Sequence, residues 1–181
     1  MIMSFKNYIM ESAGGNYVSI NALTQLPIGK VQEFAPSFTP LPLEKQHVTL
    51  MYSKGTSISD VKIWEILNQH AGTITAKVLH VSAFDSASDP DTCTIVAEIS
   101  SNELTLIHKK LKVIGLKSSY SDFKPHVSLA YNYPIADKET AMEYLNNLFS
   151  GNDLSVSLEG WKVAPLISNW SSLAEDIGKH I

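Results

Sequence analysis

Two six-residue segments carry the residue types that general acid–base chemistry needs. His47-Val48-Thr49-Leu50-Met51-Tyr52 and His126-Val127-Ser128-Leu129-Ala130-Tyr131 are identical at four of six positions, and a fifth exchanges Thr for Ser. An imidazole has an ordinary pKa of about 6.5, so it can take or give a proton near neutral pH. Alternate residues of a strand share a face. That phase pairs His47 with Thr49 and His126 with Ser128, and puts Val, Leu and Tyr of each segment on the opposite face. Two such strands across a cleft would present two imidazoles and two hydroxyls. That set can move protons and donate hydrogen bonds around a phosphate.

The other histidines have blander readings. His70 falls near the end of a helix, where a partly charged imidazole suits the dipole. His108 shares the apolar stripe of a later helix and reads as a half-buried structural residue. His180 lies in the tail. His80-Val81-Ser82 repeats the His-x-Ser form on a strand but lacks the following Leu and Tyr. A metal site is the competing use of paired histidines. A catalytic zinc usually takes three protein ligands, and no His-x-His, His-Glu-x-x-His or nearby carboxylate pair supplies a third. No metal and no cofactor is expected.

The elements that must position these residues are set by periodicity and punctuation. Residues 16–23 read as a first strand after Gly14-Gly15. A proline-spaced stretch over 27–46 reads as a long loop leading to the first His strand, 47–53. Val61, Trp64, Leu67 and Ala71 fall at helical spacing, predicting a helix over 60–71 that packs through them and stops at Gly72. Strands 75–84 and 92–99 flank a run of turn composition and predict a hairpin. Ser100-x-x-Glu103 resembles a capping box opening a helix with Leu104, Ile107, Leu111 and Ile114 on its core side. The second His strand, a helix over 137–149 and a strand over 154–163 complete the order. The lobe thus recurs approximately, with the histidines 126 − 47 = 79 positions apart.

Bulk properties narrow the function. The chain has 181 residues, enough for one good-sized α+β domain over 1–181. Its net charge of −4 argues against a grip on long nucleic acid, while leaving room for a small phosphate ligand. Cys93 is the only cysteine, so no internal disulfide can form. No apolar run reaches the roughly 20 residues of a spanning helix. The opening residues 1–12 lack the pattern of a secretory leader, so a cytoplasmic protein is expected.

The paired His-Φ-[Thr/Ser]-Φ motifs at this spacing resemble the 2H phosphoesterase superfamily. The resemblance runs from the first strand to Val163. It implies two α+β lobes related by a pseudo-twofold, with antiparallel sheets around a central groove and helices outside. It also implies His47, Thr49, His126 and Ser128 as the catalytic set. Within the superfamily, the run Pro42 to Gly55, the Asn16-Tyr17-Val18-Ser19 opening and the short length are most similar to the phage anti-CBASS nucleases. Those enzymes destroy cyclic di- and trinucleotide signals of a bacterial antiphage response. The implied partner is such a cyclic nucleotide, cleaved in the host cytoplasm if the chain is phage-encoded. The superfamily motif leaves open an RNA-end 2′,3′-cyclic phosphodiesterase, a 2′-5′ RNA ligase-like enzyme or a protein that sequesters nucleotide uncut. Oligomeric state is undetermined.

Bases need stacking surfaces, each contributing about 1–3 kcal/mol. Tyr17 is out of phase with Val18 and Ile20, so it should leave the core. Leu154, Val156 and Leu158 define a core face, which places Glu159 and Trp161 on the groove side if the strand is regular. A bulge at Gly160 would reset the phase and bury Trp161 instead. Both registers are open. Lys45, Lys54 and Lys124 flank the His strands and either draw in phosphate or are solvated.

Overall fold

The computed structural model describes residues 14–166. Residues 1–13 and 167–181, with Trp170 and His180 among them, lie outside that range. Among the described residues, six strands form one antiparallel sheet: β1 (Gly15–Ala22), β2 (His47–Lys54), β3 (Ile74–Asp85), β4 (Thr92–Ser100), β5 (His126–Pro134) and β6 (Ser155–Leu166). Their spatial order is β2-β1-β6-β3-β4-β5. Four α-helices accompany them: α1 (Val31–Phe34), α2 (Asp60–Leu67), α3 (Asn102–Val113) and α4 (Lys138–Phe149).

Strand β6 joins the two lobes. Its later residues pair with β1 and its first ones with β3, so the lobes' sheets run together. One face carries the core, where Val18, Ile20, Val48, Leu50, Val156 and Leu158 meet the buried sides of the helices. Those sides are Ile63, Ile66 and Leu67 of α2, Leu104, Ile107 and Leu111 of α3, and Ala141, Leu145 and Phe149 of α4.

The two motif strands end up as the two edges of the sheet. Open edges invite foreign pairing and are usually covered. Here the cover is reciprocal. In the loop before β2, Leu41 N–H donates to the Leu129 carbonyl of β5 at 2.7 Å; in the loop before β5, Ser119 N–H donates to the Tyr52 carbonyl of β2 at 3.0 Å. Each lobe's entry loop therefore closes the other lobe's free edge, and the two edges are drawn together.

Three sequence expectations change. The packing side of α2 is Ile63, Ile66 and Leu67, with Trp64 partly covered, while Val61 is 66% exposed. This helix ends at Leu67 in a 3-10 turn, Asn68–His70, which removes Ala71 from its stripe. The cap of α3 is Ser101, whose hydroxyl accepts from Leu104 N–H at 3.3 Å. Ser100 still belongs to β4, and Glu103 turns to His70 Nδ1 at 2.9 Å. The stretch over 27–46 is not a plain loop. It contains α1, pinned where Phe34 stacks on Tyr144 at 4.9 Å, and a 3-10 turn over Leu43–Lys45.

Candidate active site

His47 and His126 each open an edge strand, and both line one groove of about 560 Å³. Their local settings match. His47 Nδ1 lies 3.1 Å from the Lys45 carbonyl, and His126 Nδ1 lies 2.9 Å from the Lys124 carbonyl. A carbonyl oxygen can only accept, so Nδ1 carries the hydrogen and donates in both. That leaves each Nε2 for a ligand in the groove. Lys45 closes the 3-10 turn and Lys124 precedes Pro125, so stiff backbone fixes both carbonyls.

Thr49 and Ser128 line the same groove two positions along. Tyr17, on the neighbouring strand β1, bonds hydroxyl to hydroxyl with Thr49 at 3.0 Å. Its ring meets His47 edge-on at 6.3 Å. Phe84 does the same for His126 at 4.7 Å. The structure thus brings together His47, Thr49, His126, Ser128 and Tyr17.

It corrects the placement of both motif tyrosines. Strict alternation puts Tyr52 and Tyr131 on the core side; instead both line the groove. The reason is one irregularity used twice. Thr49 pairs with Ser19 but Met51 pairs with Val18, so Leu50 is an extra residue in β2. Ser128 pairs with Val96 but Ala130 pairs with Ile95, so Leu129 is an extra residue in β5. A bulge directly after the hydroxyl flips the phase and re-aims the side chains beyond it. Leu50 and Met51 are consequently both buried, as are Leu129 and Ala130. Those adjacent apolar pairs were a readable sign of the break in alternation.

Glu159 and Trp161 are not among the residues lining the groove. Gly160 is a bulge with φ of +84°, placed where the β1–β6 register slips between Ile20 and Asn21. Trp161 pairs with Ile20, packs against the core and donates Nε1–H to the His70 carbonyl at 3.2 Å. Glu159 accepts from the Thr73 hydroxyl at 3.0 Å. Of the three lysines, only Lys124 lines the groove; Lys54 and Lys45 do not. Sequence reasoning missed Phe84, Thr94 and Tyr120, which line the groove with Asp85, Asp122 and Phe123.

Burial sets the electrostatics. Desolvation is the largest influence on His47 and His126 and lowers both pKa values, against the raising effect of each carbonyl bond. The Tyr17 hydroxyl is pushed up by burial, with Thr49 and Ser19 opposing, so it stays protonated through neutral pH. His108 belongs to the frame: it is buried, donates Nδ1–H to the Leu50 carbonyl at 2.7 Å and stacks flat on Phe123 at 4.1 Å. Among the described residues, no three or more His, Cys, Asp or Glu side chains gather as a cation cage, and no helix is long and apolar enough to cross a membrane.

Known proteins with these features agree among themselves. The sequence model of the family described as "Anti-CBASS protein Acb1" matches residues 14–164. Anti-CBASS protein Acb1 of Yersinia phage phiR1-RT is 27% identical over 124 residues, covering 67% of this chain and 74% of that one. Among solved structures, Kluyveromyces marxianus Usb1 superposes with a TM-score of 0.54 at 12% identity, covering 83% of this chain and 93% of that chain. The same protein with uridine monophosphate gives 0.52 at 12% identity, over 84% and 95%. The likeness to these structures is one of fold.

Proposed function

Because this chain belongs to the Acb1 family of anti-CBASS proteins, we propose that it is a metal-independent phosphodiesterase that cleaves 3′-5′ bonds of cyclic di- and trinucleotide signals. The observation that carries this reading is the pair of imidazoles in one groove, each pinned through Nδ1 by the carbonyl two residues before it. Two such nitrogens serve a displacement at phosphorus. One removes the proton of the ribose 2′-hydroxyl, and the other protonates the leaving 5′-oxygen. Negative charge gathers on the phosphoryl oxygens between them. Thr49 and Ser128 are the hydroxyls in reach of that charge, and Tyr17 orients Thr49. The first product is a 2′,3′-cyclic phosphate, and water opens it to a 3′-phosphate.

The groove suits bases as well as phosphate. Tyr17, Tyr52, Tyr120 and Tyr131 supply stacking faces around it, and its volume falls in the range of about 300–1,000 Å³ usual for ligand sites. The test is a substrate panel in excess EDTA with products read by mass: 3′,3′-cyclic GMP-AMP, a cyclic trinucleotide, a linear 2′-5′ oligoadenylate and a 2′,3′-cyclic mononucleotide. Linear products ending in a 3′-phosphate from the cyclic oligonucleotides, absent with His126→Ala, are expected. Turnover of only the last two would move the activity to RNA ends. Tight binding without any cleavage would leave a sequestering protein.

A further inference from the structure

The motifs are nearly symmetric, but the strands beside them are not. β5 lies against β4, and there Glu98 stands directly opposite His126. Directly opposed residues share a face, with Cβ atoms roughly 4.5–5.5 Å apart. Glu98 is itself secured. It accepts from the Ser82 hydroxyl at 2.6 Å, lies 3.4 Å from His80 Nε2, and has a side chain only 17% exposed. In the other lobe, the residue opposite His47 is Asn21, which is neutral. Thr49 stands opposite Ser19, and Ser19 opposite Lys162 on β6; the carboxylate of that lobe, Glu159 opposite Asn21 on β6, lies a strand further from His47 than Glu98 lies from His126 and accepts from the Thr73 hydroxyl.

We infer that Glu98 is a positioning residue that holds the proton on His126, making His126 the general acid and His47 the general base of the first step. This rests on the phosphodiesterase reading. His47 Nε2 takes the 2′-hydroxyl proton as the O2′–P bond forms and the P–O5′ bond breaks. His126 Nε2–H gives its proton to O5′. The histidines have then exchanged protonation states. His126 next takes a proton from water, hydroxyl oxygen bonds to phosphorus, the P–O2′ bond breaks, and His47 returns its proton to O2′. The enzyme is restored.

The neighbours act in the needed senses. Desolvation lowers both imidazoles first; at His126 the Glu98 carboxylate opposes it, while at His47 Lys162 and His126 reinforce it. The other charged groups lining the groove are Asp85 at the end of β3, and Asp122 and Lys124 before β5. His80 then has a role that its motif-like sequence does not suggest: with Ser82 it fixes the carboxylate and does not meet the groove.

Two measurements test the assignment. The first uses a dinucleotide whose scissile 5′-oxygen is replaced by sulfur, a leaving group that needs no acid. Cleavage of it by His126→Ala, with none by His47→Ala, is expected; the opposite pattern, or equal loss in both, overturns the assignment. The second tracks the imidazole resonances by NMR titration and needs no turnover. Glu98→Gln keeps an acceptor for Ser82 and should lower the His126 midpoint, without lowering that of His47. Lys162→Gln, at an exposed position, should raise the His47 midpoint. An unmoved His126 in Glu98→Gln refutes the inference even if the wild type cleaves its substrates. If the variants' midpoints move as expected but the wild type cleaves nothing, the Glu98 influence on His126 stands and the phosphodiesterase reading falls.

Discussion

The proposed mechanism gives hydroxyls and imidazoles different work, and single substitutions should show it. His47→Ala and His126→Ala each remove a proton carrier, so kcat should fall by roughly 10²–10⁴-fold, with binding largely kept. Thr49→Val and Ser128→Ala each remove one donor to the developing charge, and a loss of about 10²-fold in kcat is expected. Tyr17→Phe keeps the ring beside His47 and Tyr52 but deletes the hydroxyl that bonds Thr49. Its effect should be smaller than that of Thr49→Val and nearly absent in the Thr49→Val background, because the two hydroxyls act through one another. Steady-state kinetics on these variants and the Tyr17–Thr49 double mutant check the set. Additive losses would show that Tyr17 does not work through Thr49.

Local irregularities decide which side chains reach the groove. The histidine and hydroxyl pairs were legible because both precede the bulge, where period-2 phase still applies. Tyr52 and Tyr131 were misplaced because both lie beyond it, and Glu98 and Lys162 were invisible because cross-strand partners depend on pairing. The lobe order was legible from apolar spacing, whereas the shared edge cover between Leu41 and Leu129 has no local signature. Gly160 tests the same logic. Its φ of +84° suits glycine, and a Cβ there would sit 3.1 Å from Asn21 Nδ2. Gly160→Ala should cost about 1–3 kcal/mol. By the size scaling this is a fall in Tm of roughly 2–12 °C. Calorimetry reads it directly, and an unchanged Tm would mean that the bulge forms without the glycine.

Across the whole molecule, burial of imidazoles sets activity and stability against one another. His47, His108 and His126 all have pKa values lowered chiefly by desolvation. On the proposed mechanism one groove histidine must be neutral and the other charged, which gives a bell-shaped dependence of kcat/KM on pH. With both lowered, the bell should centre below the ordinary value of about 6.5. For folding, the sign runs the other way. Near that value the unfolded chain binds more protons than the folded one, so stability is lost as pH falls below about 6.5 and regained as it rises. His108 contributes to the second effect without touching the first, because it does not itself line the groove and lies behind Leu50 and Phe123, which do. His108→Gln keeps a donor for the Leu50 carbonyl and removes the titration. It should flatten the fall of Tm between about pH 7 and about pH 5 while leaving the limbs of the pH–rate profile in place. A Tm slope unchanged by His108→Gln would assign the acid sensitivity to the two groove histidines, and the protein would then lose its fold through the same two groups to which the proposed mechanism assigns proton transfer.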